Sequence, residues 1–263
     1  MNFRNIMLAS AATMFVASSA HADMMHPFGL PKAGHGSSTT KIETSRTKYK
    51  GDLNIEDSVQ VSEELKYGIT DKLSVIGVLV NDFDTEKEYN NDHNFEYSLG
   101  FAYDLTKDKV FAEVRAYYHT YDPEDYLSES TDRWQKSMEA GLKLGYDMGN
   151  GLTPYISYFL NSDIDTSDRE LTNELFAGLH KDNGSWAVDA GLGYDFNLDG
   201  VNQDALYAQA ELAYYPADKI AVSVYGDYYL NGNLYNDETP IETYKLDEDY
   251  TVGMTFKFSF WLL

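Results

Sequence analysis

The sequence has no cysteine, only 6 prolines, and 20 Lys and Arg residues against 43 Asp and Glu residues in a chain of 263. Without cysteine, a disulfide scaffold and a thiolate-ligated metal site are both excluded. The formal net charge of −23 argues against nucleic acid as a partner, because phosphate binding requires clustered Lys and Arg. Aromatic residues are frequent, with 22 Tyr, 13 Phe and 3 Trp. Because disordered acidic tails are poor in aromatic residues, the composition predicts a folded chain.

Long hydrophobic runs are also missing from most of the chain. After residue 22 the longest apolar run is 75–80, far shorter than the roughly 20 residues of a membrane-spanning helix. Residues 1–22 differ, because Arg4 precedes an uncharged stretch of small and apolar residues that ends in Ala20-His21-Ala22. This order predicts a secretory signal peptide over 1–22, which is cleaved during secretion to the periplasm.

The rest of the chain divides into a short lead and a long repetitive region. Residues 23–38 contain Pro27 and Pro31, and we interpret them as an irregular periplasmic N-terminal lead. From 39 to 263, apolar residues alternate with polar or small ones in about twelve segments, which is the period of a strand with one apolar face. In the segment 73–81 the facing cannot be assigned.

The connections between these segments alternate in length. Short ones carry the Gly, Asn, Asp and Pro residues of tight turns, and long ones are polar and acidic, such as 122–125 and 247–249. The fold class predicted for 39–263 is all-β. It is a single closed antiparallel transmembrane β-barrel of about 12 strands, with short periplasmic turns and longer acidic extracellular loops.

A soluble barrel would put the apolar face inside, whereas a membrane barrel puts it outside, and alternation alone does not distinguish them. The signal peptide, the even strand number, the alternating connections and the aromatic residues at strand ends all favour the membrane barrel. Carboxylates that recur on the other face would also be costly in a dry core. Glu63 falls on the lipid side by parity, and we interpret it as the mark of a β-bulge.

The architecture resembles the outer-membrane β-barrel proteins of Gram-negative bacteria over 39–263. The C-terminal strand of that family is rich in alternating aromatic residues, matched here by Phe256, Phe258, Phe260 and Trp261, although the terminal Leu262-Leu263 departs from the pattern. The resemblance is greatest to small twelve-stranded barrels, which include channels for nucleosides or acidic sugars and a phospholipase. It implies the bacterial outer membrane as the location. It also implies the outer-membrane assembly machinery, outer-membrane lipid and lipopolysaccharide as partners.

The residues of the predicted inner face indicate a function in solute transport. If the apolar faces contact lipid, acidic residues line the lumen in excess, which predicts a porin-like channel for passive diffusion of small hydrophilic solutes with a weak preference for cations. The alternative is a non-conducting structural or surface-binding barrel, plugged by Glu–Arg and Glu–Lys pairs. The predicted pore-lining residues are Glu64, Lys66, Glu113, Arg115, Glu139, Lys143, Glu174, Asp189, Glu211, Asp227 and Lys257.

Catalytic and metal-binding motifs are sparse. The histidines stand in no recognisable Ser or Asn motif, so a membrane-embedded hydrolase is the less favoured function and no catalytic residue is predicted. Asp195-x-Asn197-x-Asp199 followed by Gly200 has the spacing of half a calcium-binding loop, but Leu206 takes the position of the required Glu. An ordinary hairpin loop is the alternative, and no cofactor other than this Ca²⁺ is expected.

Overall fold

The computed structural model describes residues 27–49, 55–84, 93–121, 135–164, 171–197, 204–217, 219–235 and 243–261. The predicted signal peptide and the acidic segment 122–125 therefore lie outside the described residues, whereas residues 247–249, predicted to belong to an acidic loop, are part of the last strand. The strands are β1 (His35–Tyr49), β2 (Ile55–Gly68), β3 (Leu73–Asp84), β4 (His93–Lys107), β5 (Val110–Tyr121), β6 (Gln135–Tyr146), β7 (Leu152–Asp163), β8 (Leu171–Asp182), β9 (Trp186–Asn197), β10 (Asp204–Ala217), β11 (Ile220–Tyr235) and β12 (Thr243–Trp261).

The twelve strands form one closed antiparallel barrel, which confirms the predicted fold class. Each strand pairs with its neighbour in sequence, and β1 closes the ring by pairing with β12, where Gly36 lies opposite Phe260 and Lys41 opposite Thr255. Closure leaves no sheet edge, so every strand can satisfy its backbone groups within the wall. No helix among the described residues is long and apolar enough to cross a membrane.

The short turns lie at the end of the barrel where β1 begins and β12 ends. The turn between β8 and β9 shows the local cause. Gly184 has a φ of 85°, which favours glycine, and the backbone N–H of Trp186 donates to Asn183 Oδ1 across 3.0 Å. Such turns need few residues, so neighbouring strands stay in tight register.

The two faces of the wall are those of a membrane barrel. Apolar side chains point outward, for example Leu192, which is 53% exposed, and Val224, which is 51% exposed. Charged side chains such as Lys143 and Glu113 are buried inside the ring. The apolar face therefore surrounds a polar interior, as the sequence predicted.

Strand β3 is apolar on both faces, which explains why its facing could not be assigned from sequence. Leu79 is 49% exposed on the outer wall, whereas Ile76, Val78 and Val80 are buried. These three residues form an apolar patch inside the barrel together with Leu30 from the N-terminal lead. Strand β3 thus packs against the N-terminal lead, which lies far from it in sequence.

The boundary between lead and barrel differs from the predicted one. Strand β1 begins at His35, so residues 35–38 belong to the barrel and the lead ends before them. These residues are small or polar and carry no alternation, but Gly36 pairs with both Tyr67 and Phe260, and backbone pairing needs no particular side chain.

The prediction of a bulge at Glu63 was wrong. Strands β1 and β2 pair in unbroken register there, with Thr40 opposite Glu63. The side chain stays on the outer face, where Thr40 Oγ1 donates to Glu63 Oε2 across 2.5 Å and the Ser38 hydroxyl donates to Oε1. Two hydroxyl groups therefore stabilise the carboxylate without a change in the backbone.

Candidate functional site: the charged barrel interior

The structure places all of the predicted pore-lining side chains on the inner face of the wall. Most of them are almost completely buried, and Glu64 and Asp227 are partly exposed. Whether they line a conducting pore stays a prediction. The buried members of the set are Lys66, Glu113, Arg115, Glu139, Lys143, Glu174, Asp189, Glu211 and Lys257.

Several basic side chains pair with an acid two residues away on the same strand. Such residues share one face of the strand. Arg115 Nε donates to Glu113 Oε1, and Lys66 Nζ lies 3.0 Å from Glu64 Oε1. Lys41 Nζ lies 3.0 Å from Glu43 Oε2. These are the Glu–Arg and Glu–Lys pairs that the plugged alternative requires, so they do not by themselves favour a channel.

Other interior carboxylates accept hydrogen bonds from tyrosine hydroxyls. Tyr155 donates to Asp189 Oδ1 across 2.7 Å, and Tyr207 donates to Glu174 Oε1 across 2.8 Å. A phenol stabilises a carboxylate without neutralising its charge. Tyr229 donates to Asp195 in the same way, and Tyr225 donates to Glu43. Neutral phenols therefore stabilise interior acids in addition to the basic side chains.

The aromatic rings follow one another around the interior, from the end with the short turns towards the opposite end. Glycines on the neighbouring strand give them room. A Cβ added to Gly193 would collide with the Tyr207 ring, and one added to Gly145 would collide with Phe28. The successive centroid distances are 5.2 Å (Phe28–Phe111), 6.3 Å (Phe28–Tyr155), 5.8 Å (Tyr155–Phe176), 6.1 Å (Phe176–Tyr207) and 5.3 Å (Tyr207–Tyr229).

Sequence reasoning missed some interior charges. Lys41 and Glu43 were not assigned because β1 carries polar residues on both faces, so its parity gives no signal. Asp104 and Asp249 are also buried inside. Asp104 lies near the end of β4, where parity counted from the middle of the strand would have placed it. Asp249 was missed because the sequence predicts a loop over 247–249, although these residues belong to β12.

Two histidines contact acids inside the barrel. His119 Nδ1 lies 2.6 Å from Ser98 Oγ and 3.2 Å from Glu96 Oε1. A hydrolytic relay requires the nucleophile on one ring nitrogen and the acid on the other, but here both contact Nδ1. Near the other end, His180 Nδ1 lies 3.3 Å from Asp189 Oδ2. The first cluster thus brings Ser, His and Glu together without the geometry of a relay.

The predicted calcium loop is only partly described. Asp199 lies outside the described residues, while Asp195 faces the interior and accepts a hydrogen bond from Tyr229 across 3.2 Å. Across the described ranges, no group of three or more His, Asp or Glu residues could hold a metal ion. The Ca²⁺ site therefore stays a prediction.

No family model and no curated protein sequence matches the chain. Solved structures do match it. An outer membrane channel from Pseudomonas putida F1 has a TM-score of 0.64 at 11% identity, over 91% of this chain and 98% of that one. The translocator domain of the autotransporter NalP from Neisseria meningitidis has a TM-score of 0.50 at 10% identity, over 94% and 97%. The NanC porin has a TM-score of 0.50 at 12% identity, over 82% and 98%. With its closed ring of twelve strands, the chain has the fold of the outer-membrane β-barrel proteins.

Proposed function

We propose that the protein is a channel of the bacterial outer membrane for passive diffusion of small hydrophilic solutes, with a weak preference for cations. The observation that carries this proposal is the pairing of interior acids with phenols. Asp189 accepts a hydrogen bond from the hydroxyl of Tyr155, and Glu174 accepts one from the hydroxyl of Tyr207. A phenol stabilises a carboxylate without neutralising it, so these hydrogen bonds keep negatively charged groups in place on the inner face.

The preference for cations follows from the sign of this charge. A carboxylate that faces a confined aqueous passage raises the local concentration of cations, because the low-dielectric wall focuses the field. Salt screens such a field over about 8 Å at physiological ionic strength. We therefore expect the selectivity to be greatest at low salt. The fold, shared with a bacterial outer membrane channel, supports the same proposal.

Neutralising three interior acids tests the preference. Glu139→Gln, Glu174→Gln and Asp189→Asn remove three negative charges and keep the side-chain shapes. In planar bilayers we expect the ratio of cation to anion permeability to fall towards unity, most clearly at low salt. Asp108→Asn, Asp147→Asn and Asp182→Asn remove the same charge at the periplasmic turns, so this matched control should change the ratio less.

The plugged alternative predicts a different result. A structural barrel would fold correctly but would show no conductance in planar bilayers. This would hold both for the full chain and for a variant that lacks residues 27–33 of the lead. Equal permeability ratios in the two triple variants would also contradict the proposal, because the ratio would then depend on total charge and not on charge inside the lumen.

A further inference from the structure

The described part of the N-terminal lead, residues 27–34, folds back into the barrel. At the periplasmic rim Gly34 has a φ of 78°, and the His35 N–H donates to the Lys32 carbonyl across 2.9 Å, so the chain reverses its direction. The Gly34 N–H donates to the Gly68 carbonyl across 2.9 Å. The lead is thus attached to the end of β2 at the point where it turns inward.

Inside the barrel the lead contacts two different parts of the wall. Leu30 is 7% exposed and packs on the apolar patch of β3. Phe28 is 4% exposed, stacks on Phe111 of β5 at a centroid distance of 5.2 Å, and meets Tyr155 of β7 edge-on. Because these contacts lie on strands β3, β5 and β7, the lead crosses part of the lumen and does not follow a single strand.

The wall is shaped to receive the lead. Gly145 has no side chain where the Phe28 ring lies, and Gly68 has none where the carbonyls of Pro31 and Lys32 lie. Lys143 Nζ donates to the Pro27 carbonyl across 3.2 Å. Without the lead, the apolar patch of β3 would face a polar lumen, which is unfavourable in water. The lead therefore covers the apolar patch, fills the space beside the two glycines and accepts the hydrogen bond of Lys143.

We infer that residues 27–33 are a plug that closes the periplasmic half of the lumen, and that solutes pass only when this segment leaves its seat. The seat consists of Gly68, the apolar patch of β3, Phe111, Lys143 and Gly145. This inference rests on the proposed channel function, because it assigns the control of that passage. The plug is held by the packing of Phe28 and Leu30 and by the hydrogen bonds at Lys143 and Gly68. All of these contacts are non-covalent, so its release is reversible and sensitive to single substitutions.

Single-channel recording tests the plug with two variants. The first deletes residues 27–33, and the second is Phe28→Ala, which keeps the length of the chain. Loss of a buried phenylalanine ring shifts such an equilibrium by about tenfold or more, so Phe28→Ala should raise the open fraction by that factor. The control Phe101→Ala removes an exposed ring from the outer wall and should leave the open fraction unchanged.

Thiol labelling tests the seat without relying on conduction. Since the chain has no cysteine, Val78→Cys introduces a single thiol into the buried patch. A water-soluble maleimide should label it slowly in the full chain and at least tenfold faster when Phe28→Ala is added or residues 27–33 are deleted. Asp108→Cys, exposed in the turn between β4 and β5, should be labelled at the same rate with and without the lead.

The outcomes separate the two proposals. Faster labelling with no conductance in any variant would support the lead as a removable plug and refute the channel. Equal conductance with and without the lead would leave the channel intact and overturn the plug. Unchanged labelling of Val78→Cys after the deletion would also overturn it, because the patch would not then be covered by the lead.

Discussion

The hydroxyl of Tyr155 donates a hydrogen bond of 2.7 Å to Asp189 Oδ1, joining β7 to β9 across the intervening strand β8. Both residues are buried, and the other carboxylate oxygen of Asp189 lies 3.3 Å from His180 Nδ1. The contact therefore connects wall strands that share no backbone hydrogen bonds. The hydrogen bond holds both side chains in place on the inner surface, and Asp189 also contributes a negative charge.

Tyr155→Phe removes this hydrogen bond while it keeps the ring. Because the acceptor is a buried carboxylate, we expect the free energy of unfolding to fall by roughly 1.5–3 kcal/mol. The measurement is urea-dependent unfolding of the barrel in lipid vesicles. Tyr118→Phe, on the outer wall and 39% exposed, should change the stability by less than about 0.5 kcal/mol. Equal effects of the two substitutions would contradict the importance of the interior contact.

Gly193→Ala should displace the Tyr207 ring. A Cβ at residue 193 collides with that ring, whose hydroxyl donates to Glu174 across 2.8 Å. Overpacking of this kind costs roughly 1–3 kcal/mol, measured by the same unfolding experiment. Gly77→Ala is the matched control, because nothing lies within 4 Å of the added Cβ. A smaller effect of Gly193→Ala in the Tyr207→Ala background would identify the ring as the cause, whereas an equal effect in both backgrounds would contradict it.

The architecture could be predicted from the sequence because the barrel repeats one simple pattern. Strands such as β9 and β11 alternate strictly, since each contacts lipid on one face and the polar interior on the other. The failures occur where another part of the chain supplies the environment. Leu30 packs on the apolar inner face of β3, and no local pattern indicates a partner that distant in sequence.

The sequence could predict which side chains of the candidate site face the interior, but it could not predict which of them form hydrogen bonds with one another. Parity places Glu174 and Asp189 inside, but it cannot show that Tyr207 and Tyr155 donate to them, because these contacts depend on the register of several strands. At Glu63 the error had the opposite origin. The facing was read correctly, but hydroxyls of the neighbouring strand stabilise the carboxylate, and no bulge is needed.

The Ser98–His119–Glu96 cluster should not support ester hydrolysis. Ser98 and Glu96 both contact His119 Nδ1, so the imidazole cannot accept the serine proton on one nitrogen while the acid orients the other. We expect the purified, folded protein to release no product from a fluorogenic phospholipid or short-chain ester above the buffer rate. A measurable activity that is abolished by Ser98→Ala would contradict this expectation.

Leu192→Arg tests which face of the wall meets the lipid. Leu192 lies in the middle of β9 and is 53% exposed on the outer wall, so an arginine there must place its charge in hydrocarbon. Substitutions of this kind cost roughly 2–4 kcal/mol near the midplane and about 0–1 kcal/mol near the interfaces. Val110→Arg is the matched control, because Val110 is also exposed on the outer wall but is the first residue of β5, at the rim with the short turns. We expect urea-dependent unfolding from lipid vesicles to show a large loss of stability for Leu192→Arg and a small one for Val110→Arg. A large loss for Val110→Arg and none for Leu192→Arg would contradict the assigned depth, and no loss for either would mean that the apolar face does not contact lipid.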